Sequence, residues 1–204
     1  MLKAAKLTVF VSALAPLALL VFNVLTGRTS ANPAEDIILT TGIWTFRFLL
    51  ATLAITPLRR VTGWNRLVQF RRMLGLFAFF YACLHMLSYI AFDRFFALDE
   101  VLVDIAKRPF ITAGMAAFAL MIPLAVTSTK GWIRRLGRRW QLLHRLVYFS
   151  AAAAAIHFIW KVKVAIGEPV YYAIILAVLL VFRLVWHLGT ARRPGVPAGR
   201  PAVR

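Results

Sequence analysis

Charge is what this sequence has least of. Only 16% of its 204 residues are Asp, Glu, Lys or Arg, against about a quarter in a soluble domain. Cysteine is nearly absent as well. Cys83 is the single one and lies inside an apolar run, so neither an internal disulfide nor a thiolate metal site is available. No serine or cysteine stands at a useful helical spacing from a histidine with an acid nearby, and the carboxylates lie in loops. That leaves no case for hydrolytic or nucleophilic catalysis. What is abundant is apolar: 61% of residues are hydrophobic and the mean hydropathy is +0.76. The net charge of +18 does not indicate a nucleic-acid partner. The basic residues come in short blocks between long apolar runs, as loop charge does in membrane proteins.

A bilayer core needs roughly 20 apolar residues of helix. Six runs qualify: 7–25, 42–55, 73–92, 110–126, 142–160 and 170–188. They predict an all-α fold, a polytopic bundle of six transmembrane helices spanning 1–190, followed by a disordered basic tail over 191–204. The first run, preceded by Lys3 and Lys6, resembles a signal peptide. Its length and the apolar runs after it favour a retained helix. Pro109 and Pro169 sit where helices begin, Pro57 closes the second run, and Pro16 and Pro123 should kink theirs. No internal repeat is legible.

Loop charges alternate. Arg59, Arg60, Arg66, Arg71 and Arg72 fill one connection; Lys130, Arg134, Arg135, Arg138, Arg139 and Arg145 fill another. The alternate connections carry Glu35 and Asp36, then Asp93, Asp99, Glu100 and Asp104. The positive-inside rule then puts both termini and both arginine-rich connections in the cytoplasm; the short fifth connection, with Lys161 and Lys163 against Glu168, is the exception.

All four histidines, His85, His144, His157 and His187, fall within or beside apolar runs. Ionisable groups at membrane depth mark functional sites, and neutral imidazole is an axial ligand of heme iron. Taken singly, each is better explained as cross-helix hydrogen bonding. Depth separates them. His85 and His157 each lie roughly 18–20 Å above a basic boundary on helices running outward. Two imidazoles at one depth can grip one iron from both sides. His144 lies roughly 20 Å lower, and His187, beside Trp186, reads as interfacial. On an unbroken helix His144 and His157 would diverge by about 140° in azimuth, whereas Arg71 lies on the face of His85 to within about 40°.

The run 71–85, with Arg71, Gly75, Tyr81 and His85, resembles the third helix of the MsrQ (YedZ) family. The run 127–148, with Gly137, Trp140, His144 and Tyr148, followed by His157 and Trp160, resembles its fourth loop and fifth helix. That family comprises heme-binding membrane subunits of bacterial periplasmic methionine-sulfoxide reductase systems, within the ferric-reductase-like transmembrane group. The resemblance covers nearly the whole chain up to Leu188. It implies b-type heme held by His85 and His157. It also implies electron transfer from the quinone pool, across the inner membrane, to a periplasmic molybdopterin (MsrP-type) partner that itself reduces methionine sulfoxide. Relatives in the wider group stack two hemes on four histidines. Here Arg71 occupies the slot of the fourth, which leaves open a second heme on His144 with Arg71, His187 or water opposite. FMN is implied by resemblance alone, since no flavin motif is visible.

Phe77, Phe80, Tyr81, Phe158 and Trp160 are candidates to pack on a porphyrin. Arg47, inside the second run, needs a partner, such as a heme propionate, or a route to the interface. The Arg134–Arg139 block suits a propionate, a flavin phosphate, anionic lipid or simply topology. The acidic outer loop with Asp99, Glu100 and Asp104 is either a docking face or a solvated one. Two competing functions stand: a ferric or metal reductase with another acceptor, and a small-solute transporter. The latter would more often show intramembrane carboxylates or paired broken helices.

Overall fold

The computed structural model describes residues 2–162 and 167–191; the tail predicted to be disordered lies almost wholly outside them. Among the described residues all regular structure is helical, and six helices are long and apolar enough to cross a membrane. The α-helices are α1 (Leu2–Leu25), α2 (Pro33–Thr62), α3 (Val68–Ser88), α4 (Leu98–Lys107), α5 (Pro109–Val126), α6 (Lys130–Leu136), α7 (Arg138–Leu143), α8 (Leu146–Lys161) and α9 (Glu168–Ala191). The six spans are α1, α2, α3 with its flanking turns, α5, α7 with α8, and α9. The multi-pass all-helical architecture thus agrees with the apolar pattern.

Helix boundaries follow local chemistry. The Asn32 side chain caps α2 at the Glu35 amide, with Pro33 in the first turn and Gly63 closing the helix at φ 70°. Pro57 does not close this helix. It is internal, and α2 runs to Thr62. Proline cannot donate to the carbonyl four residues earlier, and Arg183 of α9 supplies the missing partner by bonding the Leu53 carbonyl. Pro16 is accommodated in a similar way. The Tyr81 hydroxyl accepts from the Leu17 amide (3.2 Å) and donates to the Ala13 carbonyl (2.9 Å), a side-chain bridge across the backbone pair that follows the one Pro16 interrupts. Tyr81 is only 1% exposed.

The core is built from two helix hairpins. In one, α2 packs on α3 with Ala78 fully buried and Gly75 against Thr52. In the other, α5 packs on α8 with Ala151 fully buried and Ser150 donating to the Ala117 carbonyl at 3.0 Å. Small residues let such backbones approach closely, where lipid offers little hydrophobic incentive for helices to associate. The third connection is not a plain acidic loop. It contains a π-turn (Tyr89–Asp93), two left-handed residues (Phe95 and Phe96) and the amphipathic helix α4.

Candidate heme site

His85 on α3 and His157 on α8 meet between the two hairpins. Their ring centroids are 6.0 Å apart and their planes are crossed at 73°. A metal–imidazole bond is about 2 Å and the ring centre lies about 1 Å behind the nitrogen, so two imidazoles on opposite sides of one metal ion have centroids about 6 Å apart. The observed spacing matches.

Each ring is fixed in the same way. His85 Nδ1 lies 2.9 Å from the Ile38 carbonyl of α2, and His157 Nδ1 lies 2.7 Å from the Phe110 carbonyl of α5. A carbonyl can only accept, so Nδ1 carries the proton on both rings. The Nε2 lone pair is then available to a metal, the arrangement that orients metal-binding histidines generally. One turn along each carbonyl-bearing helix stands a glycine against the ring. A Cβ on Gly42 would lie 3.0 Å from His85, and one on Gly114 only 2.7 Å from His157 Nδ1. The two half-sites are equivalent in sequence spacing: each carbonyl precedes its histidine by 47 residues. Ile38, Gly42 and His85 therefore map onto Phe110, Gly114 and His157. No repeat was legible because the surrounding side chains differ; the correspondence is one of backbone approach.

The rings face a cavity of about 440 Å³, within the usual range for cofactor sites. Phe46, Met115, Phe118 and Phe158 line its walls, and Arg108, Lys161, Glu35 and Asp93 line its acidic-end rim. An apolar slot with facing imidazoles and cations at the mouth fits heme, whose carboxylates need partners at an edge. Of the aromatics expected to pack here, only Phe158 lines the cavity. Phe77 packs on Phe10 and Phe48, Tyr81 on Phe48, and Trp160 is exposed. Their helix faces are turned toward α1, α2 or the outside, which sequence proximity to a histidine does not reveal. Arg47 is also off the cavity. Its Nε donates to the Tyr172 hydroxyl at 2.7 Å and its guanidinium lies over Trp44.

His144 sits apart from this pair. The chain breaks between α7 and α8 at His144 and Arg145, which removes the azimuth conflict of a continuous helix. Its ring stacks on Trp140 at 3.9 Å, and its Nε2 lies 3.1 Å from the Thr127 hydroxyl. That hydroxyl already donates to the Pro123 carbonyl, so Nε2 is the donor to it. Arg71 lies within electrostatic range of His144. His187 lines a second cavity, near the basic end, with Thr56, Arg60, Tyr148, Arg183 and Trp186.

The cavity's acidic-end mouth is braced by a network. Asp104, buried on α4, accepts from the Tyr89 hydroxyl (2.6 Å) and pairs with Arg94 and with Arg108 (3.2 Å). Burial alone would raise the Asp104 carboxyl, but the Tyr89 hydrogen bond and the two guanidinium groups outweigh it and hold it below the ordinary value.

Residues 41–155 match the ferric reductase like transmembrane component family. The chain is 52% identical to the protein-methionine-sulfoxide reductase heme-binding subunit MsrQ of Herminiimonas arsenicoxydans, over 89% of this chain and 84% of that one. It is 50% identical to the subunit of the same name from Xanthomonas euvesicatoria pv. vesicatoria, over 93% and 89%. It is 49% identical to that of Rhodospirillum rubrum, over 88% and 87%. No solved structure matches the chain.

Proposed function

Since the chain belongs to the MsrQ family of heme-binding subunits, within the ferric-reductase-like transmembrane group, we propose that it is a b-type heme subunit. In this role it passes electrons from the quinone pool across the bacterial inner membrane to a periplasmic molybdopterin-containing methionine-sulfoxide reductase of the MsrP type. The observation that carries this is the facing pair His85 and His157, 6.0 Å apart with both Nδ1 atoms committed to backbone carbonyls. When bound, heme supplies a one-electron iron couple whose potential is tuned by its axial ligands and its burial.

The chain's own residues do the rest. Ile38 and Phe110 fix the imidazole tautomers. Gly42 and Gly114 leave room for the rings close against α2 and α5. Phe46, Phe118 and Phe158 would keep water from the slot, and Lys161 at the rim would be a partner for a propionate, Arg108 beside it being paired with Asp104. An electron moving outward also runs down the membrane potential, worth about 2.3 kcal/mol per 100 mV for a full crossing. Methionine-sulfoxide reduction itself belongs to the partner.

We read one heme, on His85 and His157, with the second on His144 left as the alternative. A second, on His144 opposite Arg71, would need Nε2 to leave Thr127 and the ring to leave Trp140. FMN enters from the family resemblance, without a motif of its own.

The test is spectroscopic. Purified protein should show a reducible Soret band with bis-histidine features, lost in His85→Ala and His157→Ala and kept in His187→Ala. A protein that shows no Soret band, even after hemin is added, would overturn the heme reading and favour the transporter alternative. A heme protein that reduces ferric chelates but not a periplasmic reductase partner would be a ferric reductase.

A further inference from the structure

Arg47 is a cation at membrane depth that gripping an iron does not require. It lies halfway along α2, between Phe46 and Phe48. Its Nε donates to the Tyr172 hydroxyl of α9 at 2.7 Å, and its guanidinium stands over two rings, Trp44 at 4.8 Å and Tyr172 at 5.8 Å. These partners are neutral, so they hold the charge without cancelling it. Among the described residues Arg47 enters no ion pair; the ion pairs gather on Arg94 and Arg108 around Asp104. An arginine in the middle of a span is costly, and such residues mark functional positions.

The charge is held close to the histidine pair. Phe46, its neighbour in sequence, lines the cavity and meets Phe158 edge to face, and Phe158 follows His157 and lines the same cavity. The Tyr172 ring packs on both, with centroids 6.0 Å from Phe46 and 6.0 Å from Phe158. Gly42, against which the His85 ring rests, lies little more than one turn from Arg47 on the same helix, about 7.5 Å along its axis. The guanidinium thus stands one layer of aromatic rings behind the cavity wall.

We infer that Arg47 sets the redox potential of the site: a fixed positive charge, positioned by Tyr172, that favours the reduced state of an iron gripped by His85 and His157. The inference rests on the heme reading of that pair. The couple is one electron between ferric and ferrous iron, with no proton moved and no bond made or broken. The ferric state carries one more positive charge, so a nearby cation destabilises it and raises the potential. Burial strengthens the effect, because charges interact more strongly where permittivity is low. At an effective permittivity of about 20 and a separation on the order of 12 Å, the ferrous-to-ferric ratio shifts roughly tenfold, which for one electron is about 59 mV.

The experiment uses full-length heme-loaded protein in nanodiscs, as wild type, Arg47→Leu, Arg47→Gln, Arg47→Lys and Tyr172→Phe. Spectroelectrochemical titration reads the midpoint potential, while the Soret band and the low-spin electron paramagnetic resonance signal read the ligation. Arg47→Leu and Arg47→Gln should each lower the midpoint by about 59 mV, a tenfold change in the equilibrium, with full heme and unchanged ligation. Arg47→Lys keeps the charge and should stay near the wild type. Tyr172→Phe should shift the same way by less, because the guanidinium is then free to turn away. If Arg47→Gln fails to insert, Arg47→Leu decides, and if neither inserts, Tyr172→Phe does. An unchanged potential in a heme-replete deciding variant overturns the inference and leaves the heme reading standing. An equal drop in Arg47→Lys also overturns it, since packing rather than charge would then be the cause. A wild-type protein that takes up no heme removes both.

Discussion

Gly114→Ala should strip the heme from an otherwise intact bundle. The new Cβ would stand 2.7 Å from His157 Nδ1 and 3.0 Å from Cε1, against about 3.4 Å for the tightest ordinary contact. The ring must therefore retreat by roughly 0.7 Å or α5 must move. Either motion breaks the 2.7 Å bond from Nδ1 to the Phe110 carbonyl. Leaving that carbonyl unpaired costs about 1–3 kcal/mol, and forcing a methyl into a packed contact costs about 1–3 kcal/mol more. Taking about 2–4 kcal/mol as the net effect on the ligand-competent geometry, heme affinity should fall roughly 30- to 700-fold. Heme per chain, from a pyridine hemochrome assay, and hemin titration of the apoprotein would measure it. Circular dichroism should confirm an unchanged helix content. Gly42→Ala, with contacts of 3.0 Å, should lose less, and Gly189→Ala, with open space around it, should lose nothing. Full heme content with an unshifted Soret band in Gly114→Ala would refute the picture of a ring seated against a bare backbone.

Tyr81→Phe removes the bridge between the Leu17 amide and the Ala13 carbonyl beside Pro16; it should lower stability by about 1–3 kcal/mol, read as a lower melting temperature at unchanged heme content. His144→Ala should leave heme per chain unchanged, because that ring is held by Trp140 and Thr127; loss of half the heme would instead establish a second iron there. Asp104 has a depressed carboxyl, so its contribution to anchoring α4 is complete above the ordinary value of 3.8 and is lost as pH falls below that toward the folded value. Hydrogen exchange over residues 94–108 should accelerate in that acid window in the wild type, and Asp104→Asn should exchange fast already at neutral pH.

Much of this protein was legible from its order of residues. Apolar length fixed the number of spans, because a bilayer of set thickness demands a set length of helix. The rise of a helix fixed the depth of His85 and His157, so their common level needed no coordinates. Azimuth was less secure. His144 looked misaligned because a continuous α-helix was assumed, and a two-residue break between α7 and α8 removes the assumption. Arg47 and the aromatics were placed by proximity in sequence, which says nothing of which helix face meets which neighbour.

What only the folded bundle decided lies between helices distant in the chain. Ile38 and Phe110 act through backbone carbonyls, and Gly42 and Gly114 through the lack of a side chain, so none carries a chemical signature. A signal was present in the 47-residue spacing shared by the two half-sites, but only a contact gives that spacing meaning. Arg183 lies inside the sixth apolar run and carries no motif; only the folded bundle shows that it reaches the Leu53 carbonyl that Pro57, on another helix, leaves open. Spans and depths are local consequences of hydrophobicity and helical rise. Ring orientation, close approach and unmet charge are pairwise properties, and they arise only when separate helices are brought together.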